Sequence, residues 1–205
     1  MSAQVELSHI LAPKPLRAVF FDMDDTLLKP RHPHPLPVFK TKHGLPLDQL
    51  VVEGIKTRSV EEQKAILEEF HALERELSAA SELREGISEL LAELKRQNLH
   101  LALITNNHRD SVEIVLKRHG LSFPLVLTRD DAPPKPAPDL ILRALEHFGL
   151  EPEEAILVGD STADLKAAEA AGVKAIFLAT PDNAGFEPRH QHPFELLEVF
   201  KLSPG

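Results

Sequence analysis

The chain has 205 residues, of which 42% are hydrophobic and 27% are charged, a composition typical of an ordinary globular protein. Its 23 basic and 32 acidic residues give a formal net charge of −9, which argues against nucleic acid and against an anionic membrane surface as partners. The sequence has no cysteine, which excludes disulfides and thiolate metal sites, and it has no long apolar run, so we expect a cytoplasmic protein.

The first predicted element is a buried strand at residues 18–21. Three carboxylates follow it directly: Asp22, Asp24 and Asp25. Acids this close together repel one another unless a cation or a proton lies between them. They also follow the end of an apolar strand, where an α/β sheet opens its ligand crevice. We therefore expect a functional site at this point of the chain.

A helical segment is predicted next. The proline-rich residues 29–37 predict a linker that leaves the first domain, because proline removes backbone donors and fixes φ. Ser59 and Glu62 have the form of a capping box, and the apolar spacing behind them predicts a long amphipathic helix at about 60–79. We interpret four apolar residues of this helix as packing residues: Ile66, Phe70, Leu73 and Leu77. No strand pattern occurs here, so a compact helical insert is the simplest interpretation.

From residue 84 onward, strands and helices alternate, which predicts a parallel sheet with helices on both faces. The predicted strands are residues 99–104, 125–127, 155–158 and 174–178. Because the crossovers are right-handed, the carboxyl ends of these strands should lie along one edge of the sheet.

Polar clusters follow the strand ends along the chain. The clusters are Asp22 with Asp24 and Thr26, Thr105 with Asn106, Lys135, and Asp160 with Asp164. Each cluster alone has a structural explanation, such as an acidic turn, a helix cap or a surface lysine. Their predicted convergence at one sheet edge is what indicates a catalytic site.

Four motifs, in this order, resemble those of the haloacid dehalogenase superfamily. They are D-M-D-D-T at 22–26, Thr105 after an apolar strand, K-P-A-P-D at 135–139 and G-D-S-T-A-D at 159–164. The resemblance covers nearly the whole chain outside the helical insert. One departure is Pro134, where relatives often carry glycine, and we expect a stiffer loop there without a change in chemistry.

The resemblance implies an α/β fold with a three-layer Rossmannoid core and a parallel sheet of strand order 5-4-1-2-3. It also implies a small helical cap inserted after the first strand, which in this family shields the site and selects the substrate. On this basis we expect residues 1–28 and 84–205 to form the core domain and residues 29–83 to form the cap.

The chemistry that the resemblance implies is phosphoryl transfer through an aspartyl-phosphate. A carboxylate can attack phosphorus and so divide one difficult hydrolysis into two displacements. Asp22 comes first off the strand and is the expected nucleophile, whereas Asp24 is the expected general acid and then base. An Asp at position 24 favours phosphatase or phosphomutase chemistry over the dehalogenase and ATPase branches of the superfamily. We expect Asp25 to be a bystander.

A Mg²⁺ ion is the implied cofactor, because this metal prefers carboxylate oxygens and water. Its expected ligands are Asp22, Asp160 and the backbone carbonyl of Asp24, with Ser161 assisting at the metal.

The expected phosphate-binding groups are Thr105, Lys135 and the backbone near Asn106. Asp164 is expected to orient Lys135 or a metal-bound water.

The predicted function is therefore a Mg²⁺-dependent phosphoric monoester hydrolase, monomeric or homodimeric, that acts on a small phosphorylated metabolite. Lys42 and Arg58 of the cap are candidates for contact with a second anionic group of the substrate. One alternative is a phosphomutase of the same superfamily, which the small cap disfavours because a mutase must exclude water. The other is a catalytically silent binding or regulatory protein, which has no need of the full set of polar residues.

Overall fold

The computed structural model describes residues 15–193, 195, 196 and 198. Among these residues, one parallel sheet contains β1 (Ala18–Phe21), β2 (His100–Ile104), β3 (Leu125–Leu127), β4 (Ala155–Gly159), β5 (Lys174–Leu178) and β6 (Arg189–His190). The strands lie in the order β3-β2-β1-β4-β5-β6. The predicted order 5-4-1-2-3 is therefore confirmed, and β6 extends the sheet beyond β5.

The helices divide into two groups by their place in the chain. Between β1 and β2 lie α1 (Leu36–Lys42), α2 (Val51–Gly54), α3 (Val60–Ala79) and α4 (Ile87–Arg96). Later helices alternate with strands: α5 (Arg109–His119), α6 (Asp139–Phe148) and α7 (Thr162–Ala171). In the described part of the chain, every helix is too short or too polar to cross a lipid bilayer.

Strand β1 lies at the centre of the sheet, and both of its faces are apolar. Its side chains have no solvent exposure, and it pairs in parallel with β2 on one side and β4 on the other. Val19 and Phe21 belong to the hydrophobic cluster on one face of the sheet, whereas Ala18 and Phe20 belong to the cluster on the other. A strand buried on both faces needs such a continuous apolar run. The three-layer α/β architecture is thus confirmed.

The segment between β1 and α4 is helical, as predicted, and has a small core of its own. The capping box of Ser59 and Glu62 is present at the start of α3, with both reciprocal hydrogen bonds. Helix α3 also packs against α5 of the sheet-bearing part. The predicted proline linker is too long by two residues, because α1 begins at Leu36. Pro37 lies in the first turn of that helix, where a missing backbone N–H leaves no bond unmade.

The chain enters and leaves this helical segment at one place. Leu28 and Leu83 form an antiparallel bridge, and the backbone N–H of Lys29 donates to the carbonyl of Glu82 at 2.9 Å. The segments that enter and leave the helical part are therefore paired with each other. On this pairing we propose that residues 29–83 are the cap and that the chain on either side of them is the core.

Strand β6 was not predicted, since its two residues are polar and follow a proline. The backbone N–H of Phe177 donates to the carbonyl of Pro188 at 2.9 Å, and this bond begins the pairing of β5 with β6. A two-residue strand at the sheet edge leaves no apolar periodicity in the sequence.

We predict that Leu103→Ala lowers the free energy of unfolding by about 2–5 kcal/mol, because Leu103 lies on β2 with no exposed surface and its truncation leaves a cavity. Urea unfolding followed by circular dichroism measures the loss. The matched control is Leu142→Ala on α6. Leu142 is 46% exposed, so this substitution should lower the free energy of unfolding by less than about 1 kcal/mol. Equal losses in the two variants would contradict this assignment of the core.

Candidate active site

The predicted polar clusters converge on a cavity of about 360 Å³ at the carboxyl edge of the sheet. Its lining from the sheet-bearing part is Asp22, Asp24, Asp25, Thr105, Asn106, Asn107, Arg129, Pro134, Lys135, Asp160, Ser161 and Ala163. Its lining from the helical segment is His34, Leu36, Leu50, Val51, Val52, Phe70, Leu73, Glu74, Leu77 and Ser78. The cavity therefore has a polar end at the sheet and a mostly apolar end at the helices.

A buried lysine lies at the centre of the polar end. The Nζ atom of Lys135 donates to Asp22 Oδ1 and to Asp164 Oδ1, each at 2.6 Å, and to the carbonyl oxygen of Ile104 at 3.0 Å. Its three ammonium donors are thereby all used. Burial alone would lower the pKa of Lys135, but the two carboxylates outweigh burial and raise it. Lys135 is therefore a permanent cation beside Asp22.

Asp164 holds Lys135 in place from the start of α7. Its Oδ2 atom accepts hydrogen bonds from Ser161 Oγ at 2.6 Å and from the backbone N–H groups of Ser161 and Asp160. Burial would raise the pKa of Asp164, but Lys135 and Ser161 outweigh it and hold that pKa below its ordinary value. Both oxygens of Asp164 are thus occupied by donors within the protein, as the predicted orienting role requires.

Asp22 and Asp160 form an acidic pair whose negative charge is not fully balanced by nearby cations. Burial raises the pKa of Asp22 to about 7 despite Lys135, and burial together with the Asp22 carboxylate raises the pKa of Asp160 to about 9. One oxygen from each of Asp22, Asp160 and Asp164 lies within 4.8 Å of the others. Since Lys135 already takes part of this charge, a further hard cation would relieve the remaining repulsion. The oxygens of Asp22 and Asp160 therefore fit a Mg²⁺ ion, whereas both oxygens of Asp164 already accept from protein donors.

The turn after β1 places Asp24 and Asp25 in different environments. Asp25 has a φ of 53°, a left-handed conformation that turns the chain sharply after Asp24. The guanidinium of Arg84 donates to the Asp25 carbonyl at 2.5 Å and supports this turn. Asp24 is exposed at the cavity, and the side-chain amide of Asn107 donates to its carboxylate. Asp24 is thus oriented by the protein and accessible to water.

Thr26 and Asn183 fix Asp160 from two sides. The Thr26 hydroxyl donates to Asp160 Oδ1 at 3.2 Å, and the Asn183 amide donates to the Asp160 backbone carbonyl at 2.9 Å. Thr26 therefore braces the acidic cluster.

The loop after β2 is tied to the lysine loop. The Asn106 side-chain amide donates to the Lys135 carbonyl at 2.7 Å and accepts from the Lys135 backbone N–H at 2.8 Å. The Thr105 hydroxyl oxygen accepts from the backbone N–H of Asn107 at 3.2 Å. The Asn106 side chain thus aligns the two loops. The sequence predicted a place for Asn106 near the phosphate but did not predict this contact with Lys135.

Sequence reasoning missed a buried ion pair, Arg129 with Glu74. The guanidinium donates through both terminal nitrogens to the two oxygens of Glu74, with an Nη2–Oε2 distance of 2.6 Å, and it also donates to the Asn106 carbonyl. Only 7% and 6% of the two side chains are exposed. Arg129 follows β3, so the rule that polar residues cluster after strand ends could have identified it. Glu74 has no such signal, because it lies within an amphipathic helix.

The structure does not bring Lys42 and Arg58 to the cavity. Lys42 pairs with Glu69 on the surface of the helical segment. Arg58 donates to the carbonyl oxygens of His43 and Gly44. Both cations therefore have partners within the helical segment: Lys42 binds α3, and Arg58 binds the turn that follows α1.

Comparisons with known proteins agree with this geometry. The family model described as haloacid dehalogenase-like hydrolase matches residues 37–178. The phosphoglycolate phosphatase of Thiobacillus denitrificans is 32% identical over 185 residues, which are 78% of this chain and 82% of that protein. The phosphoglycolate phosphatase of Nitrosococcus oceani is 35% identical over 124 residues, 59% of this chain. The match with this relative spans only about half of that protein's length, 55%.

A solved structure supports the same relationship. The haloacid dehalogenase superfamily hydrolase of subfamily IA from Geobacter sulfurreducens is 28% identical, with a TM-score of 0.65. The alignment covers 90% of this chain and 99% of that one.

We predict that Gly159→Ala destabilises the protein by about 1–3 kcal/mol, because a Cβ at this position would lie 2.6 Å from Asp164 Cγ and 2.8 Å from Asp164 Oδ2. Asp164 must then shift, which disturbs its contact with Lys135. The matched control is Gly185→Ala, where an added Cβ meets nothing within 4 Å, and we expect a change within about 0.5 kcal/mol. Chemical denaturation of both variants tests this, and an undisturbed Gly159→Ala protein would refute the close contact.

Proposed function

The chain belongs to the haloacid dehalogenase-like hydrolase family, among members that resemble phosphoglycolate phosphatases, and we propose that it is a Mg²⁺-dependent phosphatase of a small phosphorylated metabolite. The proposed reaction runs through an aspartyl-phosphate on Asp22. The observation that carries the proposal is the buried Lys135 ammonium, 2.6 Å from both Asp22 and Asp164. Burying these charges costs several kcal/mol per ion, a cost that packing alone does not require.

In the first displacement, the Asp22 carboxylate attacks phosphorus and the bond to the alcohol oxygen breaks. Asp24 gives its proton to that oxygen, so the alcohol leaves neutral and Asp24 becomes a carboxylate. The contact from Asn107 to Asp24 supports this role, since it orients the carboxyl group toward the cavity.

In the second displacement, Asp24 takes a proton from water, and the resulting nucleophile attacks the aspartyl-phosphate. The bond between phosphorus and Asp22 breaks, which releases inorganic phosphate and regenerates the carboxylate. Lys135 and Thr105 supply positive charge and a hydroxyl near the phosphoryl oxygens, together with the backbone amides of the loop after β2. Their burial at the end of β2 and in the following loops supports this role, because fixed donors need no reorganisation during the reaction.

Asp22, Asp160 and the backbone carbonyl of Asp24 would hold the Mg²⁺ ion. When bound, the ion supplies positive charge that neutralises the phosphoryl oxygens and reduces their repulsion from Asp22. Asp164 contributes to this site by holding Lys135 rather than the metal, since donors occupy both of its oxygens.

We predict that Asp22→Asn lowers kcat on p-nitrophenyl phosphate by at least about 10⁴-fold, because the amide is not a nucleophile. The Asp24→Asn variant should give a burst of one nitrophenolate per active site and then turn over slowly, since nitrophenolate leaves without a proton but water still needs a base. Stopped-flow absorbance measures the burst.

The matched control for both variants is Asp110→Asn, which removes an exposed carboxylate outside the cavity and should leave kcat unchanged. An Asp22→Asn enzyme as active as the wild type would eliminate the nucleophile assignment. Substrate that is isomerised without release of phosphate would instead identify a phosphomutase.

We predict that Mg²⁺ stabilises the wild type and that Asp160→Asn abolishes the effect. At about 100 times its Kd, the metal should contribute about 2.7 kcal/mol, or roughly 5–10 °C in Tm. Differential scanning fluorimetry after EDTA treatment measures the shift, with the exposed Asp48→Asn variant as the control that retains it. An equal shift in Asp160→Asn would exclude Asp160 as a ligand.

A further inference from the structure

The end of the cavity opposite the acidic cluster is apolar. Residues 50–52, Leu36 and three residues of α3, namely Phe70, Leu73 and Leu77, line it. The three α3 side chains recur on one helical face, and each is only partly buried because that face borders the cavity. The predicted packing residues of α3 thus also form a wall of the site, against which an apolar group gains burial.

The charge of the arginine at this wall is already paired with a buried carboxylate. Arg129 is bound through both terminal nitrogens to Glu74 and lies with Cζ 5.0 Å from the centre of the Phe70 ring. It also donates to the Asn106 carbonyl at 2.8 Å. A substrate carboxylate or second phosphate at Arg129 would have to share this cation with the buried Glu74 carboxylate, whose negative charge would oppose its binding.

The remaining basic groups of the described cavity lining do not supply a second anion site. Lys135 uses its three donors on Asp22, Asp164 and a backbone carbonyl. The Nδ1 atom of His34 accepts from the backbone N–H of Leu36 at 3.2 Å, so this nitrogen is not free to donate to a substrate anion.

We propose that the enzyme prefers the phosphate monoester of a small alcohol with a neutral, mostly apolar body, and that it discriminates against substrates with a second anionic group. This inference rests on the proposed phosphatase function and narrows its substrate class. A neutral body is buried against the wall of α3, whereas a second anion would lose its hydration beside Glu74 without gaining a cation. The chain would then differ in substrate from the phosphoglycolate phosphatases that it resembles.

The size of the cavity sets the size of the alcohol. Its volume of about 360 Å³ is near the lower end of the range of about 300–1,000 Å³ typical of small-molecule sites. Part of that volume must receive the phosphate at the acidic end. The alcohol body is therefore a compact group of a few carbon atoms or one ring.

Two isosteric substrates test the proposal. Isobutyl phosphate and phosphoglycolate have bodies with the same number and branching of non-hydrogen atoms, but the second carries a planar carboxylate where the first has an isopropyl group. We expect kcat/KM for isobutyl phosphate to exceed that for phosphoglycolate by at least about tenfold, because the carboxylate of phosphoglycolate would lose its water without gaining a partner. Phosphate release in saturating Mg²⁺ measures both.

Variants of α3 then test the cause of the preference. Leu73→Lys places a cation on the apolar wall and should shift the kcat/KM ratio toward phosphoglycolate by about tenfold or more. Val60→Lys makes the same charge change at a residue that is 76% exposed and should leave the ratio unchanged. If Leu73→Lys does not fold, Glu74→Gln releases Arg129 and should shift the ratio in the same direction, with the exposed Glu76→Gln as its control.

The outcomes separate this inference from the proposed function. A wild type that hydrolyses phosphoglycolate as well as isobutyl phosphate overturns the inference and leaves the phosphatase function standing. A preference for isobutyl phosphate that neither α3 variant changes overturns the role of the wall. A wild type that releases phosphate from no monoester, including sugar phosphates, nucleotides and p-nitrophenyl phosphate, overturns the proposed function and this inference with it.

Discussion

The contact of the Lys135 ammonium with Asp22 and Asp164 is the interaction on which the rest of the site depends. Its partners come from the end of β1 and the start of α7, and the lysine comes from the loop after β3. Each group would cost several kcal/mol if it were buried alone. The three segments can meet only if the sheet has the order in which β1 lies between β2 and β4. The charge arrangement at the site and the topology of the sheet therefore require each other.

The two ends of the cavity come from different parts of the chain and do different work. The sheet edge supplies fixed charges, since every side chain there is held by a strand end, a helix start or a hydrogen-bonded loop. The helical segment supplies apolar surface and Glu74, which forms a buried ion pair with Arg129 of the sheet-bearing part. That pair joins α3 to the loops after β2 and β3, so the position of the apolar wall is coupled to the loop that carries Thr105. Substrate shape and reaction chemistry are thus physically connected through a few polar contacts.

The sequence predicted most of the sheet and the acidic end of the site, because both leave local signals. Buried strands appear in the sequence as apolar runs. Acids directly after such a run, as at Asp22, are unusual beside a hydrophobic core and therefore indicate a functional site. The ion pair of Glu74 was not predictable in this way, since a charged residue on an amphipathic helix normally faces solvent. The helical segment was predicted as a whole, but Lys42 and Arg58 were expected at the substrate and instead bind within that segment. Side-chain partners of long flexible cations depend on tertiary contacts that no local pattern records.

The antiparallel bridge between Leu28 and Leu83 has a consequence for how such enzymes can diversify. Because the helical segment begins and ends at adjacent positions, its length is nearly independent of the geometry of the sheet. The entropy of closing a loop rises slowly with length, by about 0.6 kcal/mol for each doubling. Insertions, deletions or whole exchanges between these two residues therefore leave the register of β1 with β2 intact. The bridge makes the segment a replaceable module, and new specificities can arise by recombination at this point without rebuilding the residues that perform the reaction.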